Sequence, residues 1–120
     1  MRGTVRKQPG EGKDYLRPGG GIRPLRAVKS LIVKHPWIDQ IVDGSKTIEF
    51  RSFPTRIRGR IGLIASGEKG RIIGTVEISD CLLGADGIWN WKLRNPRRLD
   101  QPATFEQPLG CVTWVNGPEV

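Results

Sequence analysis

Glycine and proline interrupt this sequence often, which favours many short helices and strands. The chain has 120 residues, of which 16 are glycine and nine are proline, and its apolar residues fall into brief runs between them. Many short elements joined by turns are typical of β-rich domains and argue against a helical bundle. A chain of this length forms one domain and can bury a core without disulfides or a structural metal.

The apolar runs predict the strands of this domain. Strands are predicted over residues 27–33, 46–52, 58–66, 71–84 and 110–115, where β-branched and apolar residues dominate. Residues 88–93 are predicted to form a helical turn, and residues 96–105 an extended, irregular segment. We therefore expect an α+β, β-rich fold: a small, mostly antiparallel β-barrel of five to six strands with one or two short helices.

One helix is predicted between the first two strands. Pro36 suits the first turn of a helix, and Gly44 suits its C-terminal end. Between them, apolar residues recur at helical spacing: Trp37, Ile38, Ile41 and Val42. The pattern predicts a helix over residues 36–43 with these four side chains on one apolar face.

The positive charge is concentrated at the N-terminus. Residues 1–30 hold eight lysines or arginines against Glu11 and Asp14, while the remaining residues hold twelve against ten acidic ones. Residues 1–26 are also poor in apolar residues, so we expect a flexible basic tail, followed by the folded domain over residues 27–118. Two roles stay open for the tail: loose binding of phosphate, or a solubilising leader.

The overall charge and the cysteines narrow the function classes. A net charge of +8 indicates nucleic acid or another polyanion as the partner, the alternative being a soluble protein whose basicity is incidental. Cys81 and Cys111 indicate free thiols in a reducing compartment. With no apolar run long enough to cross a membrane and no secretory signal, we expect a cytoplasmic protein without membrane contact, metal site or cofactor. The sequence carries no signal for an oligomeric state.

A dense group of charges follows the predicted helix. With period two, Ile48 and Phe50 are expected to fill the core, which leaves Glu49 and Arg51 on the opposite face, either exposed or lining a cleft. Arg51 suits a phosphate or carboxylate, Glu49 a base amine or a general-base role, and Lys46 a phosphate contact or a nucleophile. The alternative is an ion pair on an exposed strand face.

Two further basic clusters are candidate nucleic-acid contacts. On a continuous strand Arg56, Arg58 and Arg60 share one face and suit a run of phosphates, or they guard an edge strand against aggregation. Arg97 and Arg98 lie near two tryptophans that form either a stacking surface for single-stranded bases or a lid on the core. Ser66, at a strand end, either donates to a ligand or belongs to a turn.

Several spaced residues together resemble a known family. The pattern "PW…I..G.KT.E.R" resembles the central motif of the ASCH domain, which belongs to the PUA-like superfamily of small β-barrels. The residues that carry it are Pro36, Trp37, Ile41, Gly44, Lys46, Thr47, Glu49 and Arg51. The segments after it also resemble the family, so the resemblance extends over residues 28–116 but not over the tail.

The resemblance implies RNA or nucleotide binding in a basic cleft around Lys46, Glu49 and Arg51. The candidate nucleic-acid contacts are Lys46, Arg51, Arg56, Arg58, Arg60, Ser66, Arg97 and Arg98. The alternative is an enzyme on the same cleft, either a ribonuclease or an N-acyl-cytidine amidohydrolase, with Lys46 and Glu49 as its catalytic residues. The amidohydrolase branch carries threonine where this chain has Glu49, so that alternative implies a changed base.

Overall fold

The computed structural model describes residues 15–17, 21–23 and 27–120. Two short strands, β1 (Tyr15–Arg17) and β2 (Gly21–Arg23), pair antiparallel with Tyr15 opposite Arg23. Both strands fall within residues 1–26, the segment predicted to be a flexible tail. The other predictions for that segment concern residues that the structure does not describe. The domain proper begins at Ala27.

Six strands form the main sheet, and one helix packs against it. The elements are β3 (Ala27–Val33), α1 (Trp37–Asp43), β4 (Ile48–Arg51), β5 (Gly59–Ala65), β6 (Arg71–Leu83), β7 (Trp89–Thr104) and β8 (Trp114–Pro118). The strand order is β4-β7-β6-β5-β3-β8, and only the β3–β5 pair is parallel. The predicted β-rich, mostly antiparallel fold with a short helix is therefore confirmed.

The sheet is not closed into a barrel, so that part of the prediction is not confirmed. Among the described residues no backbone pairing joins the edge strands β4 and β8. Instead, the guanidinium group of Arg51 on β4 reaches across and donates to the carbonyl oxygen of Ile32 on β3, with Nη2 3.0 Å from the oxygen. A side chain thus connects β4 to β3, two strands that no backbone pairing joins.

The helix lies close to its predicted bounds, but its apolar face is narrower than expected. Gly44 ends it in the left-handed region at φ 89°, which glycine adopts without strain. Ile38, Ile41 and Val42 are buried against the sheet. Trp37, by contrast, is 47% exposed, so its assignment to the buried face was wrong.

The segment after β6 differs most from the prediction. The predicted helical turn and irregular segment are one long strand, β7, which pairs antiparallel with β6 along its length. Three register shifts interrupt that pairing. One lies beside Gly74, where an added Cβ would be 2.7 Å from the Arg97 carbonyl oxygen, so this close approach of two backbones requires glycine.

The core lies between the sheet and α1. Trp91 of β7 is fully buried, and its ring stacks on that of Trp114 with centroids 5.8 Å apart. Around them pack aliphatic residues from every neighbouring element, including Leu31, Ile61 and Ile78. Cys81 and Cys111 are half-buried free thiols. Within the described part of the chain, no helix has the length and apolar character needed to cross a bilayer.

His35 ties the start of α1 to the turn between β5 and β6. Its Nδ1 lies 2.7 Å from Asp39 Oδ2, and its Nε2 lies 3.1 Å from Glu68 Oε2. The hydrogen bond to Asp39, followed by that to Glu68, raises the pKa of the imidazole above its ordinary value of 6.5. The protonated ring donates to both carboxylates, so protonation favours the folded state.

This linkage predicts a stability that falls as pH rises. A raised folded-state pKa contributes stability that is complete below 6.5 and is lost as pH rises through the higher folded value. We expect the wild type to lose thermal stability between about pH 6 and pH 8 relative to His35→Gln, whose profile should be flatter. Melting curves across this range measure the difference; parallel profiles would contradict the assignment.

Candidate functional site

A cavity of about 460 Å³ opens where β3, α1 and β4 meet the loop that follows β7. We call it the cleft. Four of the predicted site residues line it: Lys46, Glu49, Arg51 and Ser66. The aromatic side chains of Trp37 and Phe50 also line it, as do Lys34 and Val112. The structure therefore brings the charged motif together with exposed aromatic rings.

Glu49 is the buried carboxylate of the cleft. Its Oε2 accepts a hydrogen bond from Arg51 Nε at 2.8 Å. Its Oε1 lies 3.7 Å from Lys46 Nζ, which is close enough for an ion pair but beyond hydrogen-bonding distance. One carboxylate oxygen is thus firmly held, whereas the other faces an amine across a gap that a ligand atom can bridge.

The strand register explains why Glu49 points inward. Glu49 lies opposite Trp91 on β7, and directly paired residues share a face, so both point to the interior. Phe50 lies opposite Asn90 and is 55% exposed, and Ile48 is only half-buried. The expectation that Ile48 and Phe50 fill the core was therefore wrong, although Glu49 and Arg51 do line a cavity.

Backbone contacts hold Lys46 at the mouth of the cleft. Its N–H donates to the carbonyl oxygen of Gln40, which folds the chain back beneath α1 just before β4 begins. The ammonium group lies 4.9 Å from the centroid of the Phe50 ring, within the range of a cation–π contact. Lys46 is thereby placed between a carboxylate and an aromatic face.

Ser66 lies where β5 ends beside β3. Its N–H donates to the carbonyl oxygen of Val33 at 2.9 Å, which continues the parallel pairing by one residue past both strands. The residue is exposed, and it faces the cleft from the side opposite β4. It therefore belongs both to a turn and to the cleft wall.

The predicted stripe of Arg56, Arg58 and Arg60 does not form. β5 begins only at Gly59, so Arg56 and Arg58 precede the strand and share no strand face with Arg60. Arg58 donates to the carbonyl oxygens of Thr55 and Ile57 in its own loop. The prediction of one continuous basic face was wrong because it required the strand to begin at Arg56, whereas β5 begins three residues later.

Arg60 serves the fold. It donates to the hydroxyl of Thr75 at 2.8 Å, to Glu77 at 3.0 Å and to the Asn95 carbonyl oxygen at 2.9 Å. Glu77 also accepts hydrogen bonds from Arg94 and Asn95. These bonds, above all the one from Arg94, hold the pKa of the Glu77 carboxyl below its usual range. These contacts join β5, β6 and β7 on one face of the sheet.

Replacing Arg60 should therefore lower stability rather than alter ligand binding. We expect Arg60→Met to reduce the free energy of unfolding by about 1–3 kcal/mol, because the buried Thr75 hydroxyl loses its partner. The matched variant Arg56→Met, at an exposed loop position, should change it by less than about 0.5 kcal/mol. Urea unfolding compares the two, and equal effects would contradict the structural role of Arg60.

Arg97 and Arg98 lie on β7, away from the cleft lining. Both are exposed, and Arg98 Nη2 lies 3.7 Å from Asp39 Oδ1 of α1. The nearby tryptophans do not form an exposed stacking surface, because Trp91 is fully buried and Trp89 is half-buried against the core. The lid alternative is thus correct for Trp91, and the two arginines, as consecutive residues of β7, lie on opposite faces of the sheet.

The sequence reasoning missed six of the residues that line the cleft: Ile32, Val33, Lys34, Trp37, Phe50 and Val112. Trp37 was assigned to the buried face of α1 and Phe50 to the core, so neither was a candidate for ligand contact. Lys34 and Val112 carry no local signal, since only the folded chain brings the end of β3 next to the loop before β8. The position of Trp37 and Phe50 next to charged residues of the motif was the signal in the sequence that could have indicated ligand contact.

Comparison with known protein families identifies the family of this chain. The ASCH domain matches residues 31–102, which is more than half of the chain. The matched span includes the cleft residues from β3 to Ser66 but ends before Val112. Comparison with curated proteins gives no match. The extent of the family match shows that the chain belongs to the ASCH domain family, within the PUA-like superfamily.

Proposed function

We propose that this protein binds RNA or a nucleotide in the cleft, with Lys46, Glu49 and Arg51 as its polar contacts. The observation that carries the proposal is their shared cavity: a buried carboxylate and its cations lie beside two substantially exposed aromatic rings. Membership of the ASCH family supports the same class of ligand. The high positive charge of the chain favours an anionic partner.

The chemistry of a nucleotide complements each part of this cavity. Flat bases stack on aromatic side chains, and Trp37 and Phe50 offer such faces at the cleft. The free side of the Glu49 carboxylate suits an N–H donor on a base edge. Lys34 and Lys46 add positive charge to the cleft, which favours an anionic ligand. A cavity of about 460 Å³ also falls within the range of small-molecule sites.

The proposal predicts that Lys46→Ala weakens binding without unfolding the domain. We expect a loss of roughly ten-fold or more in affinity for nucleotides and short single-stranded RNA, since a charge-assisted contact is removed. The free energy of unfolding should change by about 0.5 kcal/mol, because Lys46 Nζ is 3.7 Å from its carboxylate partner and makes no tight bond to it.

Isothermal titration calorimetry against a panel of ribonucleotides measures this effect. Lys29→Ala is the matched control, because Lys29 is an exposed lysine of β3 that does not line the cleft. If Lys46→Ala and Lys29→Ala bind every ligand as the wild type does, the binding site lies elsewhere.

An enzyme on the same cleft is the second candidate. The observation that favours it is the buried Glu49, whose Oε1 lies 3.7 Å from an amine, so that a substrate atom beside the pair can contact both groups and exchange a proton with either. The reactions in question are RNA cleavage and removal of the acyl group from an N-acyl cytidine. Lys46 and Glu49 are then the catalytic residues.

Glu49→Gln separates the binder from the enzyme. In the enzyme, this variant abolishes turnover while ligand binding is retained; in the binder, it alters affinity only. Incubation with RNA and with a panel of modified nucleosides, followed by mass spectrometry, detects any product. An absence of product with wild-type protein that binds the same nucleosides excludes these reactions.

Longer RNA would also meet the exposed arginines outside the cleft. Arg56 precedes β5, while Arg97 and Arg98 lie on β7. We assign them to sequence-independent phosphate contacts, because they are exposed and outside the cavity where a base is read. Arg58 and Arg60 contribute less in this scheme, since their guanidinium groups already bond within the fold.

A further inference from the structure

A second, smaller cavity adjoins the cleft. Its volume is about 150 Å³, and it shares three lining residues with the cleft: Ile32, Ser66 and Val112. Its own walls include Lys69 and Gln107. The two cavities are therefore adjacent, and their sizes match a ligand with its larger part in the cleft and a small group beyond Ser66.

The turn that forms the smaller cavity is fixed by hydrogen bonds from two sides. Ser66 N–H donates to Val33 on β3, and Glu68 N–H donates to Ala65 within the turn. Gly70 N–H donates to the side-chain Oε1 of Gln107 at 2.8 Å. The turn is thereby anchored both to the sheet and to the loop after β7, which leaves the Gln107 amide group as a donor.

The charges around the two cavities are unbalanced. Of the residues that the structure describes, four cations line them, Lys34, Lys46, Arg51 and Lys69, against the carboxylate of Glu49. Arg51 already pairs with Glu49 at 2.8 Å. Among the described residues, neither Lys34 nor Lys69 forms an ion pair. The excess positive charge favours an anionic group on the ligand.

We infer that the smaller cavity is a phosphate subsite, so that the ligand of the cleft is a nucleotide with a terminal phosphate rather than a nucleoside. The Lys69 ammonium and the Ser66 hydroxyl are the groups that bind the phosphate, while the base lies in the cleft. The inference rests on the proposed function and adds the chemical class of the ligand. Lysine is suited to this task as a point charge, and a serine hydroxyl adds a donor.

The test compares each ribonucleoside with its own 5′- and 3′-monophosphates by calorimetric titration of the full chain. For the wild type we expect one monophosphate to bind roughly ten-fold tighter than the nucleoside, which is the scale of one charge-assisted contact. Lys69→Gln should remove most of that advantage while leaving nucleoside affinity unchanged. Ser66→Ala should remove part of it, and Lys29→Gln, at a site outside both cavities, should remove none.

The outcomes separate the subsite from the proposed function. If nucleosides and both monophosphates bind equally, or if Lys69→Gln weakens all of them alike, the phosphate subsite is overturned although the cleft still binds nucleosides. If no nucleoside or nucleotide binds, both the subsite and nucleotide binding in the cleft are overturned. A preference for either ester that depends on Lys69 supports the subsite and identifies which hydroxyl of the ribose carries the phosphate.

Discussion

Trp91→Ala should lower the free energy of unfolding by about 3–5 kcal/mol, the cost of removing a large aromatic side chain from a packed core. Trp91 is fully buried, stacks on Trp114 and meets the edge of Phe53 with ring centroids 5.8 Å apart in both pairs. Its indole N–H also donates to the Phe53 carbonyl oxygen at 3.1 Å. The variant would therefore leave a cavity and an unpaired acceptor at the same place.

Urea unfolding followed by circular dichroism measures this loss, since the fluorescence of Trp114, which stacks on Trp91, would change independently of stability. Trp37→Ala is the control, because Trp37 is 47% exposed and should cost less than about 1 kcal/mol. Trp37→Ala should instead weaken ligand binding. Similar losses of stability for the two variants would contradict a core centred on Trp91.

Arg51→Met should cost about 2–3 kcal/mol of stability and also abolish binding in the cleft. Removing one partner of a fully buried ion pair costs about 3–5 kcal/mol, because the other charge is left uncompensated. The loss should be smaller here, since both side chains keep some exposure and Lys46 remains 3.7 Å from Glu49. The Ile32 carbonyl oxygen also loses its donor, which loosens the contact between β4 and β3.

A double-mutant cycle isolates the pair from the other effects. In the Arg51→Met background, Glu49→Gln should lower the free energy of unfolding by less than it does in the wild type. The reason is that the substitution then removes a carboxylate charge that has already lost its cation. Chemical denaturation of the four proteins gives the coupling free energy between the two side chains. A coupling near zero would mean that water, rather than Arg51, compensates the Glu49 carboxylate.

The sequence correctly predicted the elements that depend on residues close together along the chain. The β-branched runs of β3, β5 and β6 form strands, and α1 lies between a proline and a glycine that suit its ends. The family motif also brought together the residues that share the cleft: Lys46, Glu49 and Arg51. These features depend on local propensity, turn chemistry and an ordered motif.

The orientation of β4 was not predictable from its own alternation. The pattern places apolar residues at Ile48 and Phe50, but the pairing with β7 sends Glu49 inward beside Trp91. The buried carboxylate of Glu49 is stabilised by the hydrogen bond from Arg51. The exposed ring of Phe50 is partly covered by the ammonium group of Lys46. Such compensation becomes visible only once the register is known.

Long-range partners account for the other errors. Arg60 was a candidate for phosphate binding because its partners Glu77 and Asn95 are 17 and 35 positions away along the chain. Likewise, the tryptophans at positions 89 and 91 resembled a helical turn, although β6 pairs with that whole segment. Both outcomes are set by which strands become neighbours, and no local pattern carries that information.

The Arg51 bridge between β4 and β3 affects how the ligand preference of this fold can diverge. In a closed barrel, the number of strands and their stagger fix the diameter of the interior. A ligand of a different size then requires a sheet with a different strand number or stagger. Here the cavity lies beside β3 and β4, which are connected by one guanidinium group rather than by backbone pairing, and the loop residue Val112 also lines it. Substitutions at these positions can thus change the shape of the cavity while the pairing of the other strands is preserved, so the proposed ligand preference can evolve separately from the sheet.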